Sequence, residues 1–117
     1  MSDELNWQIG EKANEAFEKS VEPGLQELVK EYDGVRGLEV KIVSDCPSIS
    51  GIGRYASIMF TYPGGLEMIV SVYWVRDNDR IFAENLSLVT LKRDWDIYEI
   101  TKEELKKQVK LLVVLKQ

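Results

Sequence analysis

The stretch Ala56 to Val72, ASIMFTYPGGLEMIVSV, reads as a β-hairpin. Two apolar runs flank Pro63-Gly64-Gly65, where proline presets φ and the glycines accept positive φ without a Cβ penalty. If the loop takes those three residues, Phe60 pairs Met68, Ile58 pairs Val70 and Ala56 pairs Val72, and one face of the hairpin is wholly apolar. A slip of one residue would scatter these side chains over both faces, so the register is strongly specified. The two strands run from about Arg54 to Tyr62 and from Leu66 to Arg76.

The neighbouring segments extend this hairpin into a meander. From Gly37, the residues Leu38, Val40 and Ile42 alternate against Glu39, Lys41 and Val43, the period of a half-buried strand. Asp45 to Gly53 (DCPSISGIG) is a loop. On the other side Asp77-Asn78-Asp79 turns the chain into a further strand, Arg80 to Val89, carrying Ile81, Phe82, Leu86 and Leu88. The expectation is a four-stranded antiparallel sheet with one apolar face to be covered.

The cover comes from both ends of the chain. Asp3 to Val21 is an amphipathic helix with Leu5, Ile9, Ala13, Ala16 and Phe17 on one face. Beyond Pro23-Gly24, a second stripe of Leu25, Leu28, Val29 and Tyr32 is rotated from the first by about 110°. One straight helix cannot bury both stripes, which predicts a kink or a split at Pro23, with Asp33-Gly34 as the stop. Thr101 with Glu104 is a capping box opening a C-terminal helix that turns Leu105, Val109, Leu112 and Val113 to one side. Leu111 to Leu115 could alternatively be a strand. The expected fold is α+β, one domain over residues 1–117, with both helices on one face of the sheet.

Composition narrows the chemistry. The chain has no histidine, which removes the Ser-His-Asp triad, the Cys-His dyad and histidine metal sites. Cys46 is the only cysteine, so neither an intrachain disulfide nor a cysteine-rich zinc site can form. The first ten residues lack the basic and apolar regions of a secretory signal, and the default compartment is the cytoplasm. The net charge of −5 is unevenly spread. Residues 1–34 hold nine acids and three bases, residues 35–92 balance at six of each, and residues 93–117 carry five acids and six bases. That balance disfavours nucleic acids and anionic membranes, which need a basic patch.

Two surfaces stand out as candidates. Glu4, Glu11, Glu15, Glu18 and Glu22 lie within a sector of about 60° on the first helix. Like charges at i,i+4 are unfavourable, although Lys19 follows Glu15 at the favourable spacing. The ridge reads either as a solvated helix face or as a docking surface for a basic protein. The second face of the sheet carries Tyr55, Ser57, Met59 and Thr61 beside Ile69, Ser71, Tyr73 and Val75, too apolar for bare solvent. A homodimer or partner interface, a pocket, or a cover formed by the chain itself would each satisfy it, with Tyr55, Met59, Ile69, Tyr73 and Val75 as interface or pocket residues.

The remaining candidates are single residues and short motifs. Glu84 is placed beside Val72 on the apolar face, where an ionised carboxylate is costly and general-acid chemistry is the sharper reading, unless a bulge near Asn85 lets it reach water. Ser50-Gly51-Ile52-Gly53 precedes a strand and lacks lysine, so it is no phosphate loop. Asp77-Asn78-Asp79 lacks the glycine and the final carboxylate of a calcium loop. Cys46 has nothing evident to activate its thiol. Trp95 and Tyr98, among Asp94, Asp96 and Glu99, form an acidic-aromatic strip or pin the last connection to the core.

The resulting expectation is a non-enzymatic acidic interaction module of the regulator, inhibitor, immunity or chaperone type. It is expected to be homodimeric and cytoplasmic, to engage a protein partner of basic character, and to need no cofactor and no metal. The alternatives are a small-ligand pocket protein, a carboxylate-dependent enzyme using Glu84, and a purely structural homodimer.

Overall fold

The computed structural model describes the backbone of residues 2–88 and 92–113 and the side chains of residues 7–88 and 92–113. The side chains of Glu4 and Leu5, the strand position Val89 and the alternative strand end Leu115 lie outside the described residues. Helix α1 (Ser2–Ala16) runs through a π-helical turn, Phe17–Val21, into α2 (Glu22–Tyr32). Pro23 gives that turn its cause, because it has no N–H and its ring crowds the carbonyl one α-turn back. Just ahead of it the Glu22 amide reaches five residues back, to the Phe17 carbonyl. The extra residue rotates everything downstream by about 100°. That rotation absorbs the stripe offset seen in the sequence, and Ala13, Phe17, Val21, Leu25 and Leu28 are all buried along one face. The interruption at Pro23 is therefore a re-phasing inside one continuous helix, and Gly34 at φ 83° ends it.

The strands are β1 (Glu39–Val43), β2 (Ile52–Thr61), β3 (Glu67–Val75), β4 (Arg80–Asn85) and β5 (Lys92–Asp96). They form one antiparallel sheet in sequence order. The decisive hairpin has the expected register, with Phe60 opposite Met68, Ile58 opposite Val70 and Ala56 opposite Val72. Its turn closes with the Tyr62 amide donating to the Leu66 carbonyl at 2.8 Å, and Gly64 and Gly65 take φ of 100° and 96°. Helix α3 (Lys102–Leu112) opens on Thr101, whose hydroxyl accepts the Glu104 amide at 3.2 Å.

Two sequence expectations are corrected. The sheet has five strands rather than four. Strand β5, KRDWD, escaped because only Trp95 on it packs against the core; an edge strand carries charge instead of an apolar alternation. The β3–β4 register also differs by one residue. Trp74 pairs Ile81 and Val72 pairs Ala83, so Glu84 pairs Ser71 on the outer face and not Val72 on the core face. The turn responsible is closed by the Asn78 amide on the Val75 carbonyl at 3.1 Å, with Asp77 at φ 67°. The core position falls to Asn85, with no bulge there: the register runs unshifted to Asn85 opposite Val70.

Asn85 is buried yet fully used. Its amide donates to the Leu112 carbonyl at 2.9 Å, and its oxygen accepts the Ser87 and Leu88 amides at 2.9 and 3.1 Å. It therefore ties the end of β4 to the end of α3. The helices meet where Gly24 lies against Leu105, close enough that a Cβ there would stand 3.0 Å from a Leu105 methyl. Beside this crossing Lys106, 9% exposed, bonds Glu31 at 2.6 Å and Glu27 at 3.0 Å, while Lys102 reaches Glu27 at 2.5 Å. The hydrogen bonds from Lys102 and then Lys106 hold the Glu27 carboxyl below its usual range. No helix among the described residues is long and apolar enough to cross a membrane.

Candidate functional site

Of the expected ridge, Glu11, Glu15 and Glu18 line one groove, while the π-turn ahead of Glu22 rotates that residue away from them. Glu11 and Glu18 are exposed, Glu15 and Glu22 half-exposed. Glu15 accepts from Lys19 at 2.9 Å and lies 3.5 Å from Lys12. The Lys19 hydrogen bond, followed by the Lys12 charge, holds its carboxyl below the ordinary carboxylate range. Arg54 meets both Glu18 and Glu22. Its guanidinium lies 3.1 Å from Glu22, 3.7 Å from Glu18 and 3.0 Å from the Asn14 side-chain oxygen, and 5.4 Å over the Phe17 ring. Arg54 was not singled out from the sequence. Its signal was there, since it shares the period-two set of Ala56, Ile58 and Phe60 and so points toward the helices.

Two exposed aromatics border the ridge. Trp7, 67% exposed, stands one helical turn before Glu11 on the same stripe. Tyr98, 60% exposed, comes from the β5–α3 connection, and the Lys12 ammonium lies 5.7 Å from its ring. An open groove of about 530 Å³, bordered by Tyr98, runs along Gln8, Glu11, Lys12, Asn14, Glu15 and Glu18. Trp7 was also missed, although its i,i+4 spacing to Glu11 was legible. The acidic-aromatic strip of the sequence reading divides: Trp95 packs against the core and Tyr98 faces out.

The outer face of the sheet is partly covered by the chain. The loop of residues 44–50 folds back across it. The Tyr55 hydroxyl donates to the Ser44 carbonyl at 3.0 Å, and the Ser57 hydroxyl donates to the Asp45 carbonyl at 2.5 Å while lying 3.0 Å from the Ser71 hydroxyl. Pro47, Ser57 and Ser71 are buried, and Tyr73 is 1% exposed, stacked on Phe82 at 5.6 Å between ring centroids. Burial, reinforced by the Glu84 charge and opposed by Lys92, raises the Tyr73 phenol above its usual range. Of the five residues expected at an interface or pocket, Tyr73 offers no surface, whereas Tyr55, Met59, Ile69 and Val75 are half-buried.

Glu84 is half-exposed on this outer face and lines a cleft under the loop with Cys46 and Leu86. The premise for general-acid chemistry, a carboxylate enclosed by the core beside Val72, falls with the register correction. Cys46 is an exposed free thiol whose sulfur lies 3.6 Å from the Pro47 carbonyl oxygen. Among the described residues no group of three or more cysteine, aspartate and glutamate side chains is placed to hold a metal ion. Comparison with known proteins finds no family, no curated protein and no solved structure that matches this chain.

Proposed function

We propose that this chain is a non-enzymatic interaction module that docks a basic protein on the outward face of α1. The observation that carries the reading is the exposed Tyr98 in one groove with the carboxylates Glu11, Glu15 and Glu18, with exposed Trp7 one helical turn before Glu11. Large aromatics supply the anchoring energy of interfaces, and an acidic rim steers and orients a cationic partner. Arginine or lysine side chains would meet both the ring faces and the carboxylates. The internal pairs of Glu15 and Glu18 do not oppose this, because exposed ion pairs exchange at little cost. Glu22, held by the less exposed Arg54, contributes less than the other three. The compartment in this reading is the cytoplasm, where the exposed thiol of Cys46 stays reduced.

Affinity capture from host extract tests it. Wild type is expected to retain a basic protein that is lost on raising salt from about 50 to 200 mM and lost with Trp7→Ala combined with Glu11→Gln and Glu18→Gln. Equal retention by the folded variant would overturn the reading. A second reading, a homodimer through Met59, Ile69 and Val75, has support in the half-exposed apolar side chains the loop leaves uncovered. Sedimentation of the purified chain checks it, with a dimer mass expected that Ile69→Asp reduces to the monomer.

A further inference from the structure

We infer that the cleft between the loop of residues 44–50 and the end of β4 binds a small amphiphilic monocation, a primary amine on a short apolar body, with Glu84 as its counter-ion. The cleft measures about 430 Å³ and is lined by Cys46, Pro47, Ser48, Ile49, Glu84 and Leu86. That volume falls in the range of small-ligand sites, which combine apolar walls with a few converging polar groups. Pro47, Ile49 and Leu86 supply the walls. The Glu84 carboxylate only accepts hydrogen bonds and the Ser48 hydroxyl can accept one, which matches the three donors of an ammonium group.

The charge in this cleft also has no ion-pair partner within 4 Å among the described residues, although Lys92 stands opposite Glu84 in the β4–β5 ladder. The Lys92 ammonium lies instead 5.4 Å from the centre of the Phe82 ring. Glu84 is half-exposed and lines the cleft, so its carboxylate is open to a cation that enters there. An anionic ligand would add a second negative charge beside Glu84 and is disfavoured. None of these residues belongs to the α1 groove, so this site stands independently of the docking face.

Cys46, the only cysteine, reports on occupancy from the cleft wall. The experiment follows its alkylation by iodoacetamide with hexylamine, hexanol or hexanoate present, and glutathione as a free-thiol control. Hexylamine is expected to slow alkylation saturably without affecting glutathione, to shift the amide resonances of Ser48, Ile49 and Leu86, and to outperform hexanol and hexanoate. Glu84→Gln should weaken the protection by about tenfold or more, the scale of one charge-assisted hydrogen bond. Glu84→Lys, which brings its own ammonium to the cleft, should abolish it. The inference is overturned if hexylamine gives no saturable protection, if hexanoate protects as well, or if either variant, folded by its thermal melt, is protected like wild type.

Discussion

Gly53 and Asn85 mark two of the fold's tightest points. Gly53 lies under the Trp74 ring, and a Cβ there would fall well inside van der Waals contact with two ring carbons. The ring cannot retreat easily, because its indole N–H donates to the Asn78 carbonyl at 2.6 Å. Gly53→Ala is therefore expected to cost about 1–3 kcal/mol, measured by urea denaturation. An unchanged midpoint would show that Trp74 moves freely. Asn85→Leu removes partners from the Leu112 carbonyl and from two amides at once, and about 2–3 kcal/mol of destabilisation is expected in the same assay. Neither constraint was legible in the chain alone. Asn85 stood one register step from the position the sequence assigned to the core, and the turn at Asp77 decided that step.

Among the elements, the first helix shows how a local defect serves a global pattern. The apolar residues demanded a rotation near Pro23, and the π-turn supplies it with one additional residue. If that is its role, deleting exposed Lys19 together with Pro23→Ala should yield a regular α-helix in which Ala13, Phe17, Val21, Leu25 and Leu28 alternate at spacings of four and three. Circular dichroism and thermal melting are expected to show a folded protein, whereas deletion of Gln26 with Pro23→Ala should melt far lower, because Val21 and Leu25 are then turned about 100° from the face that holds Ala13, Phe17 and Leu28. The α2–α3 contact carries a pH signature. Glu27 titrates below its unfolded value near 4.5, so its contribution is present above that pH and is lost as pH falls through the folded value. Glu27→Gln should therefore show a shallower fall in Tm between about pH 5 and pH 3. Lys106 is raised from 10.5, so its share is present below that pH and is lost only as alkaline pH passes the folded value. Helix stripes, the decisive hairpin and the Thr101 N-cap were readable because each is a local pattern, although the Glu104 carboxylate accepts from Gln108 and does not return to the Thr101 amide as a capping box would. Strand β5 was not, since charged residues at a sheet edge have no periodicity to read.

Taken as a whole, the molecule measures 53 × 25 × 20 Å and has two differently charged and differently covered faces. The sequence carried its net acidity in residues 1–34, and the structure places Tyr98 beside the carboxylates Glu11, Glu15 and Glu18 of that segment. Composition alone could locate the ridge, but Tyr98 is far from it in the chain and only the fold brings the two together. The sheet's outer face was readable as needing cover. Its partial cover, the loop of residues 44–50, was hidden because the contacts run through backbone carbonyls of Ser44 and Asp45, which carry no sequence signature. Docking on α1 is tested most directly by placing a photo-crosslinking phenylalanine analogue at Gln8 or at Met59 and irradiating the protein in its host. A basic-protein adduct is expected from Gln8 and no basic-protein adduct from Met59. A basic-protein adduct from Met59 without one from Gln8 would contradict it and move recognition to the sheet.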